Sequence, residues 1–147
     1  MLGHRIWGKR LGIIGMGRIG QAVAHRARAF GMEVCVARRP ASDGLRPERL
    51  PLPELLATSD IVSLHCPLNS STENLIGERE LELMKDDALL INTARGGLVD
   101  GDALVRALQG NRLGGAGIDV LRREPPVDGD PLLDVDLDNR FGIEQSD

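Results

Sequence analysis

Apolar residues in this chain gather in short runs separated by polar, helix-patterned stretches. Five runs have strand length: "RLGIIG" (10–15), "MEVCVA" (32–37), "DIVSLHC" (60–66), "ALLINTA" (88–94) and "LGGAGIDV" (113–120). Most are nearly continuous rather than alternating, the pattern of strands covered on both faces of a parallel sheet. Between the first two runs, Ile19, Val23, Ala27 and Phe30 fall at helical spacing on one face, and Gly31 supplies the C-cap. Further on, "LVDGDALVRALQGNRL" places Leu104, Ala107 and Leu108 on one stripe, opened by Asp100 or Asp102 and closed by Gly110. The proline- and charge-rich "RRPASDGLRPERLPLPELLATS" predicts a surface connection followed by a short helix near 53–58. Strands alternating with helices, with no internal repeat, predict a doubly wound α/β sheet with right-handed crossovers.

Composition narrows this picture. A chain of 147 residues, 41 % hydrophobic and 27 % charged, suits one domain spanning 1–147 with a core of its own. No run approaches the roughly 20 apolar residues of a membrane span, and "MLGHRIWGKR" lacks the apolar segment of a secretory signal, so a cytoplasmic location is expected. With a formal net charge of −4 and three aromatics, Trp7, Phe30 and Phe141, the chain offers nucleic acid neither a basic track nor a stacking platform. Cys35 and Cys66 sit inside apolar runs and read as inert core thiols, and no metal site is expected.

The chemistry begins at "RLGIIGMGRIGQAV", where Gly15, Gly17 and Gly20 lie between a strand pattern and a helix pattern. Three glycines at this spacing also occur in ordinary turns. The strand before, the helix after and a second strand ending about 20 residues on are the context of a dinucleotide site. Gly15 would permit the tight turn, Gly17 the approach of a pyrophosphate to the backbone, and Gly20 the close packing of helix on strand. The helix N-terminus would add free N–H groups and a favourable dipole. At the end of the second strand, where an acid would accept the ribose hydroxyls of NAD, the chain reads "VCVARRP". Arg38 and Arg39 suit an adenosine 2′-phosphate, so NADP is expected, with NAD as the alternative. Solvated arginines opening a surface loop would look the same in sequence.

Four stretches in fixed order then extend the picture: "GKRLGIIGMGRIGQAVAHRARAFGM", "SDIVSLHCPLNSSTENLIG", "LMKDDALLINTARGGLVDGDAL" and "LGGAGIDVLRREPPVDGDPLL". Together they resemble the cofactor-binding domain of the D-isomer-specific 2-hydroxyacid dehydrogenases, from about residue 8 to 133. The resemblance implies a Rossmann-like fold and hydride transfer between NADP(H) and a small 2-oxo or 2-hydroxy acid. It implies that Arg95 of "NTARGG" binds the substrate carboxylate and polarises its carbonyl, a task a fixed fork of donors suits. It implies that Asp119 of "GIDV" lies beside the nicotinamide and that Glu124 of "RREPP" hydrogen-bonds a catalytic histidine and raises its pKa. Further cofactor contacts are implied for Arg18, Ile19, Cys66, Pro67, Thr93 and Ala94, all at the carboxyl ends of strands. Members of the family are usually dimeric through these domains, so a homodimer is expected.

The chain also departs from the family. The histidine that serves as general acid and base follows a segment like "PLL…LDN"; here "DPLLDVDLDNRFGIEQSD" places Gln145 near that position, and glutamine cannot shuttle a proton. His4, His25 and His65 fall elsewhere, and His65 reads as a core or strand-end residue. The family's substrate domain, built from a long N-terminal segment and a C-terminal tail, is not represented. These departures predict a truncated form with little or no activity alone. The rival reading is a non-catalytic module that binds a nucleotide or a partner. A Rossmann methyltransferase would fit the glycine loop but not "NTARGG" or "GIDV…EPP".

Overall fold

The computed structural model describes residues 5–38, 49–126, 129–133 and 135. Among them, six strands form one sheet: β1 Arg10–Ile14, β2 Glu33–Ala37, β3 Arg49–Leu50, β4 Ile61–Leu64, β5 Leu89–Asn92 and β6 Gly115–Ile118. The strand order is β3-β2-β1-β4-β5-β6, with every neighbouring pair parallel. This is the Rossmann arrangement, in which winding runs outward in both directions from β1 and leaves a crevice at the carboxyl ends of β1 and β4. No helix among the described residues is long and apolar enough to cross a membrane.

Helices cover the two faces unequally. On one face α1 (Arg18–Ala29) lies against Leu11 and Ile13 through Ala24 and Ala27. On the other, α2 (Leu52–Thr58), α3 (Glu78–Leu83) and α4 (Gly101–Gln109) enclose the larger core, in which Leu55, Leu56, Val62, Leu64, Leu90, Leu98 and Leu104 are fully buried. Close seating of α2 needs Gly12 in β1. A Cβ there would stand 2.5 Å from the Ser59 hydroxyl and 2.6 Å from a Leu55 methyl.

Several local readings change in three dimensions. The buried stripe of α1 is Gly20, Ala24 and Ala27, with Val23 half-buried, whereas Ile19 and Phe30 are 68 % and 64 % exposed. The approach is close at Gly20, where an added Cβ would strike the Gly15 carbonyl. Phe30 is the C-cap, and Gly31, at φ +77°, makes the left-handed exit. Arg49–Leu50, inside the stretch read as a surface connection, pairs with Val36 and Ala37 as a sixth strand. Two residues are too few to show periodicity. The helix α3, carrying Glu78, Glu80 and Glu82, had no counterpart in the hydrophobic pattern because only Leu81 on it is buried. Asp100, rather than Asp102, caps α4 by accepting the Ala103 N–H at 3.1 Å, and Gly110 ends the helix.

The amino ends of the strands are tied by one carboxylate. Asp60, just before β4, accepts the Arg10 N–H at 2.7 Å and pairs with Lys85 at 3.0 Å and Lys9 at 3.9 Å. Its backbone N–H reaches Arg10 O, and its carbonyl accepts from Leu89. Burial pushes the Asp60 carboxyl up, but the Arg10 amide and the two lysines outweigh that and hold it below its ordinary value. The sign follows: a depressed native pKa contributes stability above the unfolded value, near 3.9, that is lost as pH falls through the lower native one. Asp60→Asn should therefore be less stable than wild type near neutrality, with the gap closing below about pH 4. Denaturant melts across that range check it, and a gap independent of pH would contradict the assignment.

Candidate functional site

Strand register turns scattered sequence positions into one row. Ile14 pairs with Leu64, Leu64 with Asn92, and Asn92 with Ile118. The next residues in each strand, Gly15, His65, Thr93 and Asp119, therefore stand side by side along the carboxyl edge, and Arg38 follows β2 on the same edge. The row crosses the crevice where ligands of open α/β sheets bind.

The three glycines of the first loop play three different parts. Gly15 has φ +102°, and a Cβ on it would run into the His65 carbonyl and the Cys66 amide. A Cβ on Gly20 would strike the Gly15 carbonyl, so Gly20 lets α1 start directly beneath the loop. Gly17 is different: its φ is −77°, and a Cβ there would meet nothing within 4 Å. Nothing in the described protein requires a glycine at that position. No side chain caps α1, no acid sits in its first turn, and Gly17, Arg18 and Ile19 are all exposed. An uncapped, acid-free helix start facing open space attracts an anion through its N–H groups and dipole.

The second half of the site is the turn after β5. Asn92 is 1 % exposed; its side-chain amide donates to Arg95 O at 2.9 Å and its side-chain oxygen accepts the Ala94 N–H at 3.1 Å. Its main-chain carbonyl accepts the Asp119 N–H at 3.0 Å. Thr93 and Arg95 are exposed at the rim, Ala94 is half-buried, and an Arg95 guanidinium N–H rests on the Ala94 carbonyl at 2.7 Å. A 3-10 turn over Gly96–Leu98 follows, and a Cβ on Gly96 would collide with the Leu121–Arg122 peptide. That contact brings the loop after β6 against the arginine turn. Arg95, Gly96, Val120, Leu121, Arg122 and Glu124 then line one cavity of about 270 Å³.

Glu124 is held by the Leu121 N–H, which its Oε1 accepts at 2.8 Å. Arg122 fastens the same loop from outside, donating to Asn74 Oδ1 at 2.7 Å and to Glu73 at 2.8 Å. Arg95 and Glu124, 29 positions apart in sequence, thus share a cavity, and Asp119 stands at the edge above β6. Cys66 and Pro67 follow His65 past the glycine loop. Both Cys35 and Cys66 are free and only half-buried, short of the full burial that their apolar runs suggested. Burial still pushes both thiols up, which keeps them protonated. His65 Nε2 bonds Ser63 Oγ at 2.9 Å, and burial holds its pKa down. It is a strand-end residue, as its position suggested.

Arg38 leaves β2 by donating its N–H to Leu50 O, with its guanidinium 3.4 Å from Arg49 O. Its Nε is buried without a hydrogen-bond partner among the described residues. Arg39, His4 and Gln145 lie outside the described residues. Asn92 and Arg122 open the quoted "NTARGG" and "RREPP" but were given no part there. A polar residue closing the run "ALLIN" was the available signal for Asn92, while nothing local marks Arg122, whose partners are 48 and 49 positions away.

Comparison with known proteins gives the same outline. The family model for the D-isomer specific 2-hydroxyacid dehydrogenase, NAD binding domain, matches residues 1–140. The chain is 52 % identical over 128 residues to a glyoxylate reductase of Thermococcus gammatolerans, covering 84 % of this chain and 38 % of that protein. It resembles the crystal structure of a glyoxylate reductase from Paecilomyes thermophila with a TM-score of 0.81 and 47 % identity, covering 91 % of this chain and 42 % of that one. For the crystal structure of D-lactate dehydrogenase with NAD+ from Lactobacillus jensenii, the TM-score is 0.76 and the identity 40 %, covering 86 % and 39 %. The chain thus spans about two fifths of the length of these relatives.

The glycine geometry makes a differential prediction about stability alone. Gly17→Ala should leave the melting temperature nearly unchanged, since its Cβ meets nothing and its φ suits any residue. Gly20→Ala should cost roughly 1–3 kcal/mol by overpacking, more if the loop cannot yield. Thermal denaturation of the two variants beside wild type checks it, and equal losses would contradict the assignment.

Proposed function

The chain belongs to the D-isomer specific 2-hydroxyacid dehydrogenases through their NAD-binding domain, and from that premise we propose that it holds NADP(H) against a small 2-oxo or 2-hydroxy acid. The observation that carries this reading is Gly17. Its neighbours Gly15 and Gly20 are demanded by the protein's own backbone, whereas nothing among the described residues demands Gly17, which supports a ligand in the open space in front of α1. A pyrophosphate there would take the free N–H groups at the start of the helix, with Arg18 and Ile19 at its sides. Cys66, Pro67, Thr93, Ala94 and Asp119 would border the rest of the cofactor along the edge row. When bound, the nicotinamide supplies or accepts the hydride.

The protein's own contribution is binding, orientation and charge. Arg95 presents a planar fork of donors to the acid's carboxylate and draws charge onto the developing alkoxide oxygen. Glu124, its carboxylate fixed by the Leu121 amide, orients the group that exchanges a proton with the substrate oxygen. That group is a histidine in the family pattern. In the sequence Arg38 and Arg39 take the positions at which a ribose-binding acid would select NAD, which supports the phosphorylated cofactor. Arg38 is already at the edge of the sheet, and among the described residues one of its guanidinium nitrogens reaches a carbonyl, at 3.4 Å. It would gain a charge-assisted partner by turning toward a 2′-phosphate.

Two measurements test the reading. Cofactor fluorescence should show tighter binding of NADPH than NADH, reversed in Arg38→Asp; equal affinities, or a preference for NADH, would refute the assignment to NADP. Gly17→Val should abolish cofactor binding while circular dichroism stays unchanged, and retained binding would refute the phosphate site.

A further inference from the structure

We infer that Asn92 is a positioning residue that sets Arg95 and Asp119 relative to one another. The inference rests on the assignment of Arg95 to the substrate carboxylate. Asn92 is the last residue of β5 and 1 % exposed, a buried polar group at the head of an otherwise apolar strand. Buried amides persist where their bonding capacity is met, and here three bonds point to the site. The side-chain N–H holds the Arg95 carbonyl, the side-chain oxygen holds the Ala94 amide, and the backbone carbonyl holds the Asp119 amide. The first two close the turn from which the Arg95 side chain leaves. The third joins that turn to the strand end carrying Asp119. One residue thereby fixes, through their main chains, the two groups assigned to opposite partners of the reaction, the acid and the nicotinamide.

Removing the Asn92 side chain should free the Arg95 turn while leaving the backbone bond to Asp119 and the glycine loop intact. The effect expected is a split: weaker hold on the acid, unchanged hold on the cofactor. A global structural role would weaken both together. The probe is modification of Arg95 in the full chain by phenylglyoxal, followed by peptide mass spectrometry, with glyoxylate as protectant and NADPH present. Wild type should be protected at millimolar glyoxylate. Asn92→Ala should need at least tenfold more, with NADPH affinity within twofold of wild type. Asn92→Asp, nearly isosteric, keeps the acceptor for Ala94 but loses the donor to Arg95 O, and serves if the alanine variant does not fold. Protection equal to wild type in a folded variant overturns the inference alone. Loss of protection together with cofactor affinity in both variants also overturns it, by showing a structural role. An Arg95 unprotected in wild type overturns the assignment of Arg95 itself, and the inference with it.

Discussion

Backbone meets backbone at the carboxyl edge of this sheet, and the site depends on those meetings. Gly15 lies on the His65–Cys66 peptide, Gly20 on the Gly15 carbonyl, and Gly96 on the Leu121–Arg122 peptide. Each approach is closer than any side chain permits. Together they pull the glycine loop onto β4 and the loop after β6 onto the turn after β5. Interiors this dense transmit displacement, so one added methyl group at such a contact moves a whole loop.

The two ends of the sheet are built from opposite chemistry. At the amino edge the polar groups are paired: Asp60 takes an amide and two lysines, and Arg10 pairs with Glu33 at 2.7 Å. At the carboxyl edge α1 begins without a side-chain cap, and Arg18, Thr93, Arg95 and Asp119 are exposed. Paired and exposed polar groups are thus separated along the strand direction, and open parallel sheets bind ligands at the carboxyl end. At the carboxyl end of β5, Asn92 is a buried polar group whose side-chain bonds serve the turn rather than the core.

Most of the architecture was legible in the chain itself. Five of the six strands announced themselves as apolar runs, because strands covered on both faces carry apolar residues on both. Helices α1, α2 and α4 showed through spacing, prolines and caps. Two elements did not: β3, with two residues, is too short for periodicity, and α3 buries one leucine among three glutamates. The orientation of α1 was misread for a physical reason. Hydrophobic pattern ranks residues by the area they would bury, which favours Ile19 and Phe30, but the face that α1 buries carries Gly20, Ala24 and Ala27, with Val23 half-buried beside them.

By itself the sequence determined the fold class, the family and the residue types at the site, because these rest on local signals: apolar period, glycine spacing, and motifs in fixed order. The tertiary structure decided which glycines the protein's own backbone requires, since Gly15 and Gly20 differ from Gly17 in conformation or in what surrounds them. It also decided that Arg95 and Glu124 line one cavity, through a contact at Gly96 that neither residue makes. Register made Gly15, His65, Thr93 and Asp119 a row, through pairings between residues 26 to 50 positions apart. Such relations are properties of space between distant segments, and a linear pattern carries the residues but not the distances.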